Sequence, residues 1–367
     1  MKFVFGFVLL LHALIHLLGF AKAFQLTEIT QLTQNISKPI GMLWLFTAIL
    51  FFISVTIFLL KKDWWFVVAL IAVIISQILI IVFWKDAKYG TIANSIILLV
   101  SMIAYGNYQF NKMVKQETSQ IFQNIQVKNL PITSENDMNH LPEIVKKWMQ
   151  NSGVLGKEKM VSVHLIQIGK MRTRPKGKWM SFTANQHFNT HTSAFIWTTK
   201  VKAMPMIQMI GRDKLYNGEG EMLIKLAALI PVVDEGKNDK MNQGAMIRYL
   251  AETCWFPSAA LNDNITWKSI NDTSARATLT INNKSVSGIF TFSDEGNLMS
   301  FEAQRYYGGK NDSKLEKWYV EMLSYKDFDG ITIPNKSSVT WKLNDGDFNW
   351  LQLEIIDLEF NTLVNFE

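Results

Sequence analysis

The chain has one cysteine, Cys254, which rules out an intramolecular disulfide. The redox compartment stays open, because an exported bacterial domain can do without cysteine. Cys254 itself reads first as a small buried apolar residue. Also missing are a Gly-x-Ser-x-Gly elbow, a phosphate-binding glycine loop and paired cysteines at zinc spacing, so no familiar catalytic motif points to an enzyme. Charge is missing from four stretches, 3–20, 40–60, 64–84 and 89–108, which contain no Asp, Glu, Lys or Arg. Beyond residue 110 the opposite holds, and no apolar run of that length recurs.

Each of the four stretches is at or near the roughly 20 residues that cross about 30 Å of hydrocarbon as a helix. Trp64, Trp65 and Trp84 fall at their ends, where interfacial aromatics belong. The expected architecture is a four-helix transmembrane domain over 1–110, a polar connector over 111–135 and a soluble domain over 136–367. The first stretch ends in Ala21-Lys22-Ala23, which could pass for a signal-peptidase site. Its apolar run is longer than a signal-peptide core and carries two histidines, so an uncleaved span is the expectation. Lysines are spread almost evenly over the two sides and leave the orientation open.

Charge follows the same division. Up to Lys115 the chain carries nine lysines, no arginine and three acids, and the 37 basic and 31 acidic residues less these leave 28 of each beyond. The net charge of +6 therefore belongs to the membrane part. Headgroup contacts account for those lysines, and no basic patch on the folded domain speaks for nucleic acid. Membrane lipid is the first expected partner.

His12 and His16, four residues apart in the first span, share a helix face. Ionisable groups inside a membrane mark function by default. A metal or haem is one reading, although no further His or Cys occurs in the spans and a closed metal site wants more ligands. Hydrogen bonding across the bundle to Gln77 or Asn94 is the other. Gly6, Gly19, Gly41 and Gly90 are expected to permit close helix packing. No cofactor is assigned.

The connector should fray near Pro131 and Ser134, and a short helix is expected from Pro142, with Ile144, Val145 and Trp148 on its apolar side and Gly153 as its stop. The period then changes to two. Strands are expected from Val161, over 182–189, 195–204 and 207–216, with Asn217-Gly218 as a hairpin turn. A helical interruption follows: 222–233 is strongly apolar, and 242–261 reads as a helix with Met246, Ile247, Leu250, Ala251 and Cys254 inward, an Arg248–Glu252 pair, and Trp255-Phe256-Pro257 ending its regular part. Strands resume over 275–281, 287–292, 298–306, 317–325, 337–343 and 350–360, joined by turns short enough to make neighbours antiparallel. The expected fold is membrane α-helical with four spans plus an α+β domain, a curved antiparallel half-barrel sheet with helices packed on one face.

The runs His12-Ala13-Leu14-Ile15-His16-Leu17-Leu18-Gly19-Phe20 and Phe83-Trp84-Lys85-Asp86-Ala87-Lys88-Tyr89-Gly90-Thr91, with Arg248-Tyr249-Leu250-Ala251-Glu252 leading to Trp255-Phe256-Pro257-Ser258, resemble an uncharacterised bacterial multi-pass membrane-protein family of unknown function. The resemblance spans nearly the whole chain and implies no activity. Element order after residue 161 is similar to the LolA-type lipoprotein carriers. The closing segments Asp329-Gly330-Ile331-Thr332-Ile333-Pro334 and Leu353-Glu354-Ile355-Ile356-Asp357-Leu358-Glu359-Phe360 carry that similarity. It implies a half-barrel that holds acyl chains, and a hydrophobic ligand or lipoprotein as partner.

Met204, Met206, Met209, Trp179, Trp197, Trp318 and Trp341 belong to an aromatic and methionine content larger than a thin two-layer domain hides comfortably, and methionine suits adaptable apolar pockets. The leading expectation is a non-enzymatic, membrane-tethered domain that binds a lipid or other hydrophobic ligand through Phe195, Trp197, Ile247, Leu250, Cys254 and Trp255. The alternatives are a membrane redox or metal protein built on His12 and His16, and a sensory or structural anchor that binds another protein. Among the soluble histidines only His187 and His191 are close enough in sequence to share a metal.

Overall fold

The computed structural model describes residues 2–204, 207–309 and 312–362; Met206 lies outside them. The chain divides into two compact units, Met1–Lys112 and Met113–Glu367.

The first unit is helical: α1 Lys2–Ala23, α2 Lys38–Leu59, α3 Trp65–Val82, the single turn α4 Trp84–Ala87, and α5 Gly90–Ile121, whose last turns belong to the second unit. Four of these helices are long and apolar enough to cross a membrane. Leu9, Ala13, Phe51, Ala69 and Ile97 are buried between the helices, while Leu14, Ile74, Ile81 and Leu99 point outward and are exposed. Small residues let the helices close up, as expected. A Cβ on Gly19 would stand 2.3 Å from the Trp44 ring, and one on Gly41 2.2 Å from the Ala23 methyl.

The second unit is one sheet with two helices against one face and the end of α5 against the other. Its helices are α6 Glu143–Asn151 and α7 Asp239–Glu252. Its strands are β1 Ser162–Met171, β2 Met180–Asn189, β3 Ala194–Met204, β4 Ile207–Tyr216, β5 Glu219–Leu226, β6 Ile230–Gly236, β7 Ile265–Asn271, β8 Ser274–Ile281, β9 Lys284–Phe292, β10 Leu298–Tyr306, β11 Leu315–Phe328, β12 Ile331–Leu343 and β13 Gly346–Phe360. The order across this 13-stranded open sheet is β6-β5-β4-β3-β2-β1-β13-β12-β11-β10-β9-β8-β7. Every pairing is antiparallel, and only β1 with β13 joins strands distant in sequence. The hairpins follow from turn chemistry: Asn217 and Gly218 both have positive φ (53° and 75°), as do Asn282 and Asn283 (47° and 66°), which a two-residue antiparallel turn requires.

Two expectations need correcting. The apolar run 222–233 is not helical; it divides between β5 and β6, and Ala227 and Ala228 make the turn with φ of 51° and 61°. Most of β5 is half-buried on both faces, so it lacks the two-residue alternation that marks a strand. The helix expected over 242–261, regular up to Trp255-Phe256-Pro257, starts earlier and its α-helical part stops at Glu252. Asn238 caps α7 by accepting from the Lys240 and Met241 amides, and after Glu252 the chain continues as two 3-10 turns, Thr253–Trp255 and Pro257–Leu261. Pro257 has no amide hydrogen to extend an α-helix.

One face of the sheet carries α6, α7 and the 3-10 turns over a core that includes Trp148, Phe188, Leu215, Tyr249, Phe256 and Phe290. The opposite face carries the end of α5. There Glu117 accepts from Lys214 at 3.0 Å and forms an ion pair with Arg212 at 3.0 Å, while Ile121 and Phe122 cover Ala194 and Ile196. Arg212 and Lys214 are buried. The polar segment after the last span is therefore part of the sheet unit. A fragment starting at Ile132 loses Glu117 and uncovers Ala194, Ile196 and the two cations, which keep Glu221. Relative to a fragment starting at Met113, it is expected to lose about 3–5 kcal/mol of stability on chemical denaturation, chiefly the burial of Ile121 and Phe122.

Candidate ligand-binding site

Residues paired across the strands share a face. On the helix-bearing face, β2 presents Phe188, Gln186, Ala184 and Phe182, β3 presents Phe195, Trp197, Thr199 and Val201, and β4 presents Leu215, Asp213, Gly211 and Met209. The first residues of each series lie under the helices. The last do not. Phe182, Ala184 and Val201 form a separate cluster with Met171, Met180, Trp197, Met209, Leu351 and Leu353, and every member comes from a strand. Met171, Met180, Trp197, Met209, Leu351 and Leu353 are only half-buried. The face thus has a packed region beneath the helices and an apolar basin beside it.

A buried polar network marks the border. Arg248 of α7 places Nη1 2.6 Å from Asp213 Oδ2 and Nε 2.7 Å from Glu252 Oε1. Gln186 Nε2 donates to Glu252 Oε2 at 2.7 Å, and Trp197 Nε1 donates to Gln167 Oε1 at 2.9 Å. The guanidinium lies 5.0 Å from the ring centres of both Phe195 and Trp197. Burial works against the charge of Arg248, but the carboxylates of Glu252 and Asp213 outweigh it and raise the guanidinium above its ordinary pKa. The pair read from sequence as an i,i+4 contact is therefore an interior one, joined by a third charge from β4. Sequence spacing offered no signal for Asp213, Gln186 or Gln167, which strand pairing alone brings to this point.

The six residues expected to form the site are brought together. Phe195, Ile247, Leu250, Cys254 and Trp255 are all buried in the large core, and Trp197 packs against both that core and the basin cluster. Burial pushes the Cys254 thiol well above its ordinary pKa and leaves it protonated.

The histidines sort differently. His12 Nε2 lies 2.9 Å from Asn94 Oδ1 and 3.3 Å from Ser76 Oγ. His16 Nδ1 donates to the His12 carbonyl at 2.9 Å, while Asn94 donates on to Gln77 at 3.0 Å. His187 does not meet His191: its ring stacks on His164 across the β1–β2 ladder at 4.3 Å, on the face away from α7, and His191 is exposed in the following turn. Burial and the neighbouring His164 lower His187 to about 3, so it is neutral at physiological pH. Among the described residues no group of three or more His, Cys, Asp or Glu is placed to hold a metal.

A protein-family model matches residues 139–360, more than half of the chain. The chain belongs to DUF6920, a family of unknown function. No curated protein matches it. Among solved structures, a LolA superfamily protein from Nitrosomonas europaea is similar at 10% identity and a TM-score of 0.36, over 60% of this chain and 93% of the other. A Vibrio parahaemolyticus domain described as an outer membrane lipoprotein-sorting protein has 8% identity and a TM-score of 0.34, over 56% and 87%. A DUF1329 family protein from Desulfovibrio piger has 8% identity and a TM-score of 0.34, over 61% and 92%. Likenesses this distant have no bearing on function.

Replacing Arg248 by Ala strands Asp213 and Glu252 without their cation in the interior. The expected loss is about 3–5 kcal/mol in a denaturant titration, whereas removing the surface pair Lys146–Glu143 should cost less than about 1 kcal/mol.

Proposed function

We propose that this chain is a non-enzymatic, membrane-tethered binding domain whose ligand is a lipid or other hydrophobic molecule, free or as the acyl chains of a lipoprotein. The observation that carries the reading is the apolar basin on the helix-bearing face. An α+β sheet normally buries its apolar face under helices. Here α7 and its neighbours cover one part, and Met180, Trp197, Met209, Leu351 and Leu353 are left half-buried beside it. Methionine in quantity suits a surface that must adapt to flexible chains.

The residues divide by role. Trp197 and the basin methionines touch the ligand, and Phe195, Ile247, Leu250, Cys254 and Trp255 form the packed wall behind them. The helices of the first unit, with exposed Leu14, Ile74, Ile81 and Leu99 on their outer surfaces, embed the chain in a cell membrane as a multi-pass anchor.

Two substitutions separate the roles. Leu353→Arg puts a charge on the basin floor and is expected to remove co-purifying hydrophobic ligand, measured by mass spectrometry of the full chain in detergent-free peptide discs, with the thermal midpoint little changed. Leu250→Trp overpacks the wall and is expected to cost about 1–3 kcal/mol of stability. Equal ligand retention by Leu353→Arg and wild type would count against the basin as the site.

A further inference from the structure

The helix-bearing face carries a charged residue with no ionic partner among the described residues. Arg305 lies on the helix-bearing face of β10, aligned there with Phe301 and Ala303. Its guanidinium is stacked 4.8 Å from the Trp318 ring centre and 5.8 Å from that of Trp341. On its other side is α7, where a Cβ on Gly244 would come within 3.3 Å of Arg305 Nε. Gly244, Arg248 and Glu252 are four residues apart and form one stripe of the helix. Arg305 and Arg248 thus stand along the same flank of α7, at the edge of the packed region.

Their surroundings differ. Arg248 is saturated by Asp213, Glu252 and Gln186. The Arg305 side chain makes no hydrogen bond or ion pair among the described residues, and its Nε is buried without a partner. Glu316 stands opposite it in the β10–β11 ladder, yet forms no ion pair with it. Burial lowers the Arg305 pKa to about 10, so the group stays charged at neutral pH. The two carboxylates nearby, Asp213 and Glu252, are already committed to Arg248. Gly244 matters here because any side chain at that position would close the space over the guanidinium.

A half-buried guanidinium with free donors is unfavourable unless an anion arrives to accept from them. Its planar fork suits a carboxylate or a phosphate. We propose that Arg305 is the headgroup anchor of the basin, which therefore takes an anionic amphiphile: a carboxylate or phosphate head on Arg305, with the acyl chain lying on Trp197, Met209 and Leu353. This rests on the reading of the basin as a hydrophobic ligand site and adds the charge of the ligand to it.

The test uses the full chain in peptide discs and equilibrium binding of three probes that share an oleyl chain: oleate, oleoyl lysophosphatidic acid and oleyl alcohol. The membrane helices contribute equally in every variant, so the difference from wild type is the readout. Arg305→Gln is expected to weaken oleate, lysophosphatidic acid or both by about tenfold, the effect of one charge-assisted hydrogen bond, and to leave oleyl alcohol unchanged. Arg305→Lys, which keeps the charge, should restore most of the affinity. Whichever acid responds identifies the head as carboxylate or phosphate. Oleyl alcohol binding to wild type as well as both acids do, or unaltered affinity for both acids in Arg305→Gln, would overturn the anchor while leaving the basin as a hydrophobic site. If Leu353→Arg binds all three probes as wild type does, the basin itself is not the site and both readings fall. Should Arg305→Gln fail to fold by circular dichroism, the preference of wild type for either acid over oleyl alcohol decides alone, and a preference below about threefold for both overturns the anchor.

Discussion

The structure depends on a mismatch between sheet and helices. Thirteen antiparallel strands present one long helix-bearing face, and α6, α7 and the 3-10 turns supply helical cover for part of it. Under the helices, Phe188, Phe195, Leu250 and Phe256 are fully buried and close-packed. Beside them the same strands continue with Val201, Met209 and Met180 and no helix in their cluster. Apolar surface left open to water is costly by roughly 25 cal/mol per Å². A ligand, like a helix, removes that cost by covering it.

What holds the boundary in place is electrostatic. Arg248 ties α7 to β4 through Asp213 and to itself through Glu252, while stacking on Phe195 and Trp197. A buried ion pair of this kind adds little net stability over an apolar substitute, but losing one partner is severe, which makes it a device for fixing position. It fixes α7 where it covers the core without reaching the basin. The same placement brings Gly244 over Arg305.

Much of this was legible in the residues. Four charge-free stretches gave the apolar helices, because composition alone decides which helices can sit in hydrocarbon. Asn217-Gly218 and Asn282-Asn283 gave hairpins, because few other residues accept positive φ. The apolar run 222–233 misled because periodicity cannot tell a strand apolar on both faces from a buried helix. Polar β7 went unassigned for the complementary reason, since only its neighbour β8 makes it a strand. Phe195, Ile247, Leu250, Cys254 and Trp255 meet in one core, with Trp197 packed against it. What spacing could not give was Asp213 opposite Trp197, or Arg305 beneath Gly244, since each depends on strand register and on where a helix lands across the sheet.

The most direct test of the account is to see where a chain lies when it binds. An oleic acid analogue carrying a diazirine near the middle of its chain can be photolysed with the full chain, and the labelled residues read by peptide mass spectrometry. The account predicts adducts on the basin strands, at Met180, Trp197, Met209, Leu351 or Leu353. Labelling confined to residues 2–112, with none on the sheet, would contradict it.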